Sequence, residues 1–236
     1  MNGKIDYVRI VGIVVMAALL VAGTGGLALA NDATDARHLV DKARLTLDSF
    51  DKAKDMSAFR DLLKDAKGVF IAPQILKGAF IVGASGGSGV FMVRDAATKE
   101  WSQPAFYTIG SASFGLQIGG QASEVVLLAM TDRGVTALLS NSVKLGADVG
   151  VAAGPVGLGA SAATANVSAD ILSFARSKGL FAGIALDGAV VKVRESLNHA
   201  YYSAKVSPTD ILIKRTAWNH HSERLLSALS ADAKRG

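Results

Sequence analysis

Glycine set inside apolar runs constrains this chain more than any other feature. Of its 25 glycines, 19 lie between Gly68 and Gly188, among Val, Ile, Leu, Phe and Ala. In Phe114-Gly-Leu-Gln-Ile-Gly-Gly-Gln121 and Lys144-Leu-Gly-Ala-Asp-Val-Gly-Val-Ala-Ala-Gly154, apolar residues recur at every second position. That is the period of a half-buried strand. Glycine weakens a strand unless a bend or a close backbone approach demands it. The repeated use predicts a tightly curved or closely stacked sheet, built as a binding scaffold rather than around a catalytic centre.

The first thirty residues read as a targeting segment. Lys4 and Arg9 form a basic start, Ile10 to Val21 an apolar run, and Ala28-Leu29-Ala30 a small-x-small cleavage site. The run is shorter than the ~20 residues of a spanning helix, which favours a cleaved signal peptide over an anchor. No cysteine occurs, so neither disulfides, thiolate metal sites nor lipid attachment at a cysteine are available. The expected mature chain starts at Asn31, is periplasmic or secreted, and carries a surplus of four positive charges. That surplus suits an anionic surface such as phospholipid head groups and is too dilute to argue for nucleic acid.

Two helices are expected next. Leu39, Val40, Ala43, Leu47 and Phe50 recur at helical spacing within Thr34 to Phe50, and Met56, Phe59, Leu62, Leu63 and Ala66 within Asp55 to Lys67. From Gly68 to Arg194 the pattern is mostly strand. Turns are expected at Ser85-Gly-Gly-Ser88, Asp132-Arg-Gly134, Gly154-Pro155 and Asp187-Gly188, the last as a hairpin, with a short helix over Gly134 to Ser140. Ser207-Pro208-Thr209-Asp210 reads as a helix start. The expectation is one α+β domain, a curved, barrel-like antiparallel sheet flanked by N- and C-terminal helices. It runs over 31–215 after the signal segment 1–30, with 216–236 as a helical or frayed tail.

Motifs for chemistry are weak. Gly83-Ala-Ser85-Gly-Gly87 matches G-x-S-x-G, with His199 downstream, but a strand-like run rather than a helix follows it. A serine hydrolase is therefore remote. Neither phosphate-loop fingerprint occurs. His220 and His221 are adjacent and on a helix diverge by about 100°, so they do not share an ion easily. An outer-membrane barrel would want longer strands and aromatic girdles. No catalytic residue, metal or cofactor is expected.

Several blocks together resemble the SYLF domain. They are Ala66-Lys-Gly-Val-Phe-Ile-Ala-Pro73 with Lys77-Gly-Ala-Phe-Ile-Val-Gly83, then Trp101-Ser-Gln-Pro104, Gly115 to Gln121 and Ser123 to Leu128. Lys144 to Asp148, Val151 to Gly157, Ser177 to Gly183, Leu186 to Ala189 and Asn198-His-Ala-Tyr-Tyr202 complete them. The resemblance covers about Leu39 to Leu212 and implies a lipid-binding module without catalytic residues. Eukaryotic members bind phosphoinositide membranes, and the fungal branch also binds actin and its regulators. It further implies that an amphipathic helix meets the membrane, here Lys52 to Lys67; in departure from the eukaryotic members, a stand-alone domain without SH3 or FYVE modules is expected. The candidate lipid-binding residues are Lys52, Lys54, Arg60, Lys64, Lys67 and Lys77, with Phe59 and Leu63 inserting or packing. Asp55, Asp61 and Asp65 dilute that basic face. The alternative is a structural or protein-interaction module of the cell envelope, with actin binding by family analogy.

Overall fold

The computed structural model describes residues 31–79, 82–114, 119–157, 169–184 and 186–232; residues 1–30, expected as a targeting segment, and the end of the tail lie outside them. The chain opens with helix α1 (residues 31–52) and α2 (Ser57–Asp65). Strands β1 (Gly68–Ala79), β2 (Val82–Val93), β3 (Ala105–Phe114) and β4 (Gly119–Ala129) follow. After α3 (Asp132–Leu139) come β5 (Ser142–Lys144), β6 (Val151–Ala153), β7 (Ile171–Ser177), β8 (Leu180–Gly183) and β9 (Val190–Val193). Helices α4 (Glu195–Tyr202), α5 (Pro208–Leu212) and α6 (Glu223–Asp232) close the chain.

The strands form one curled, half-barrel sheet in the order β5-β9-β3-β2-β1-β4-β7-β6, with β8 also on β7. Every pair is antiparallel except β6 with β7. The expected α+β class holds. Each of the four long strands is apolar at one end and small or polar at the other. Antiparallel pairing brings the matching ends together, because Val69 faces Met92 and Leu128 while Lys77 faces Ser85 and Gln121. The result is a sheet with a dry half and a wet half. In the dry half Val69, Phe70, Ile71 and Ala72 are all fully buried, so both faces are covered, not one.

One face of the dry half packs on α1, α2 and α6. Ala36, Leu39, Val40, Ala43, Leu47 and Phe50 of α1 are buried there, as are Met56, Phe59, Leu62, Leu63 and Ala66. Both helical stripes thus point where the 3.6-residue period puts them. Phe59 meets Phe50 at 5.5 Å and Phe174 at 5.2 Å between ring centroids. The other face packs on α3, α5 and the β5–β6 region through Val135, Leu138, Val143, Leu145, Ile211 and Leu212. The C-terminal segment is part of this unit. Leu225 and Leu229 are buried with α1 and α2, and the Gln103 carboxamide oxygen accepts from the Asn219 N–H (3.2 Å) and the Ser222 hydroxyl (2.7 Å).

Several expected breaks move. Ser85-Gly-Gly-Ser88 is no turn: it is the middle of β2, paired with β1 and β3. Glycine there serves a close approach. Both ladders of β1 slip between Ile71 and Ile75, a bulge that holds Pro73, which has no N–H to give a ladder. A Cβ on Gly87 would collide with the Gln74 carbonyl beside that bulge. Asp132-Arg-Gly134 opens α3, where the Thr131 hydroxyl accepts from the Gly134 N–H at 3.0 Å. Lys144 to Gly154 is two short strands around a turn at Gly146, φ +81°. Asp187-Gly188 does turn, with Gly188 at φ +82°, but joins no hairpin, since β8 lies on β7 and β9 on β3 and β5. The Ser207–Asp210 capping box of α5 forms as expected. The alternating run Phe114 to Gln121 falls partly on residues 115–118, outside the described residues.

Candidate functional site

The α2 candidates are largely engaged in holding the fold. Phe59 and Leu63 are fully buried, so of the two expected roles the structure gives them packing and not insertion. The Arg60 guanidinium donates to the Asp51 (2.6 Å) and Ala53 (2.9 Å) carbonyls, closing the C-terminal end of α1. Lys52 pairs with Asp48 at 3.8 Å, Lys64 with Asp61 at 3.2 Å and Lys67 with Asp132 at 2.7 Å. Lys54 is exposed at the turn between the helices. Lys77 is not brought to this group: it follows Ile75 on the opposite face of the sheet, beside Ser85 and Ser111.

A different set of cations converges where α1 crosses the wet half of the sheet. Residues Asp35, His38, Leu39 and Lys42 of α1, at helical spacing, line one wall of a cavity of about 310 Å³. Arg194 and the β2 backbone at Gly86 and Gly87 form the other wall. A second cavity of about 600 Å³ continues past the bulge and shares Lys42, Pro73 and Gln74 with the first. Arg176 and Lys178 stand on its far side. The two make one groove, open because Gly86 and Gly179 put no side chains into it.

Its electrostatics differ from those of α2. Arg176 is paired with Glu124, which also accepts from the Thr46 hydroxyl of α1 at 3.1 Å. Lys42, Lys178 and Arg194 have no carboxylate within ion-pair distance among the described residues. Arg194 is aimed by a 2.7 Å bond from its guanidinium to the Ser88 hydroxyl. Leu76, on the rim, is 57 % exposed and Leu180, beside Gly179, is 77 % exposed. Cations flanked by exposed leucines suit an anionic surface with an apolar interior. Sequence reading missed this set because its members come from α1, the β7–β8 turn and the end of β9. Pro73 within an apolar strand was the available signal, marking a bulge.

The other candidates separate. Ser85 is mid-strand, its hydroxyl 2.8 Å from that of Ser111. His199 lines a different cavity, with Glu195 and Lys205, so no nucleophile–base pair forms. His220 bonds Glu223 at 2.8 Å, and His221 faces Asp41 at 3.5 Å. No cluster of three metal-ligating side chains occurs among the described residues.

Comparison with known proteins decides the family. The family model of Ysc84, described as "Las17-binding protein actin regulator", matches residues 110–232. The chain belongs to the Ysc84 family. It is 32 % identical over 172 residues to human "SH3 domain-containing YSC84-like protein 1", covering 72 % of this chain and 50 % of that protein. It is 31 % identical over 177 residues to "Protein YSC84" of Saccharomyces cerevisiae, covering 73 % and 37 %. "LAS seventeen-binding protein 3" of the same yeast is 33 % identical over 159 residues, covering 66 % and 34 %. The chain spans half or less of these relatives. The SYLF-like blocks of the sequence fall within this family, and none of these names denotes a catalytic activity.

Proposed function

We propose that this family member is a non-catalytic module that binds anionic phospholipid at a membrane surface, through the groove between α1 and the glycine-rich half of the sheet. The observation that carries the reading is the convergence of Lys42, Lys178 and Arg194, with no carboxylate in ion-pair distance among the described residues, between the exposed Leu76 and Leu180. Each cation near an anionic surface contributes about 1 kcal/mol, so three supply about 3 kcal/mol of reversible, salt-sensitive attraction. The reading includes export: the apolar start of the chain is removed after Ala30, and the mature protein acts in the periplasm or outside the cell. N-terminal sequencing of the mature protein checks that part.

Cosedimentation with vesicles of phosphatidylglycerol or phosphatidylinositol phosphate, against phosphatidylcholine, tests the binding. Anionic vesicles should bind and release with rising salt. The triple variant Lys42→Glu, Lys178→Glu, Arg194→Glu should lose at least about 100-fold in affinity. Equal binding to neutral vesicles, or an unchanged triple variant, overturns it. The family description, with its Las17 binding and actin regulation, favours a second reading, a protein-interaction module using the same surface. In that case the triple variant changes a protein complex and leaves vesicle behaviour alone.

A further inference from the structure

Strands β7 and β8 form a hairpin that closes one side of the groove, and its tip departs from the usual chemistry of such turns. Ser177 pairs with Leu180, so only Lys178 and Gly179 turn the chain, at φ +51° and +79°. A two-residue turn with both φ positive favours Asn, Asp or Gly at its first position. Lysine there holds a left-handed conformation that costs it more than it would glycine or asparagine. Leu180, the next residue, is 77 % exposed, more than any other large apolar side chain among the described residues. Its neighbour Phe181 packs edge-on against Phe50 of α1, 4.9 Å between ring centroids. Strand residues alternate, so Leu180 points away from the helices.

Resting on the membrane reading of the groove, we infer that this hairpin tip is the element that enters the bilayer, with Lys178 at the phosphates and Leu180 among the acyl chains. The base of the hairpin is pinned. Arg176 pairs with Glu124 and lies over the Phe181 ring at 5.8 Å, and Glu124 is tied to α1 by Thr46. A pinned base lets the tip insert without the ordering cost of a loose loop. Lys178 and Gly179 line the groove together with Lys42, so tip and groove cations meet one surface. A lysine stem lies along apolar chains while its ammonium stays in the polar layer, which lets a cation and a leucine share one tip. A single exposed leucine carries little meaning by itself. This one follows a strained, cationic turn, and an anionic leaflet supplies phosphate for the ammonium and hydrocarbon for the leucine.

The chain has no cysteine, so Leu180→Cys carrying a nitroxide, whose apolar ring stands in for the leucine, reports one site alone. On phosphatidylglycerol vesicles that label should gain oxygen accessibility and lose accessibility to a water-soluble nickel chelate. The same label at Ile213, half-exposed at the end of α5, should not change. Leu180→Asn should lower vesicle affinity at least about tenfold at every salt concentration, with the slope against salt unchanged. Lys178→Gln should cost about fivefold and flatten that slope. Both side chains lie outside the core, so circular dichroism melts of these variants should match the unaltered chain. A label at position 180 that stays in water on bound vesicles, or an unchanged affinity in Leu180→Asn, overturns the insertion and leaves the groove reading standing. No vesicle binding by the unaltered chain overturns both. Should Leu180→Asn disrupt a protein complex and spare vesicle binding, the tip is a protein contact and the insertion falls.

Discussion

Adjacent glycines in β2 should respond in opposite ways to the same added methyl group. At Gly87 a Cβ would overlap the Gln74 carbonyl oxygen and sit 3.0 Å from its carbon and 3.2 Å from the Ile75 Cα. At Gly86 the nearest atom, the Ile109 carbonyl oxygen, is 3.7 Å away, an ordinary contact. Ordinary contacts begin near ~3.4 Å and carbon contacts relax at ~3.5–4.0 Å, so clearing the overlapped Gln74 oxygen in Gly87→Ala needs a backbone shift of roughly 1 Å or more. The atoms that must move are main chain, held on both sides by the β1 ladders at the bulge. Overpacking costs typically about 1–3 kcal/mol, and a clash with paired backbone belongs at the upper end, ~3 kcal/mol. For a domain of this size that lowers the melting temperature by about 6–12 °C. Gly86→Ala removes unfolded-state freedom without a clash and should change stability by less than about 1 kcal/mol, in the stabilising direction. Thermal melts of the two variants, followed by circular dichroism, decide it. Equal losses, or an unaltered Gly87→Ala, would refute the account of the bulge as a place that requires glycine.

Two further substitutions test the buried polar groups. Asn198, wholly buried on α4, accepts from the Phe106 N–H at 2.9 Å and donates to the Phe106 carbonyl at 3.3 Å. Asn198→Ala removes the side-chain partner of the buried Phe106 N–H, while the carbonyl keeps the Arg194 N–H at 2.9 Å, and should cost about 1–3 kcal/mol by urea denaturation. A loss under about 1 kcal/mol would mean that water replaces the side chain. The Tyr107 hydroxyl is buried with no hydrogen-bond partner among the described residues, and burial pushes its pKa well up. Tyr107→Phe should therefore be neutral or stabilising at pH 7. Because the folded-state pKa is raised, the unaltered protein keeps full stability below the free tyrosine value of about 10 and loses it as pH rises beyond. Tyr107→Phe should lose less in melts between pH 9 and about 11.5, and parallel losses would contradict that burial.

The helices and the binding surfaces were unequally legible in the sequence. Leu39, Val40, Leu47, Phe59 and Leu63 declare their helices because a 3.6-residue stripe needs only neighbours four residues away. The Ser207–Asp210 box is as local, and it formed. Glycine misled where it was taken as punctuation. At Ser85 to Ser88 it meets the approach of Gln74, 11 to 14 residues away but across a strand pair that spacing alone does not reveal. Asp187-Gly188 failed as a hairpin because β8 folds back on β7 just before it, while β9 joins β3 and β5 from far earlier in the chain. The α2 cations are candidates through the resemblance, which points to a segment and not to the partners of its side chains, and Arg60, Lys64 and Lys67 are engaged with carbonyls or carboxylates. The groove cations are scattered over some 150 residues, so only the fold gathers them.

Pro73 links these observations. It sits in β1, with β2 on one side and β4 on the other, where a residue without an N–H would break a ladder. Both ladders slip at the same point, so the missing donor falls in a bulge rather than in a broken pair. On one side of the bulge β1 is Val-Phe-Ile-Ala, buried on both faces; on the other it is Gln-Ile-Leu-Lys-Gly, with Gln74 and Leu76 exposed. Beyond the bulge the helical layers end, and each face of the sheet opens beside them. Gln74 faces the α1 groove with Lys42, and Ile75 and Lys77 face a cavity on the opposite side. Had β1 stayed apolar and regular, the helices could have covered its full length and left neither opening. The bulge, with the glycines that let it lie against β2, is what turns a two-layer core into a scaffold with two accessible surfaces.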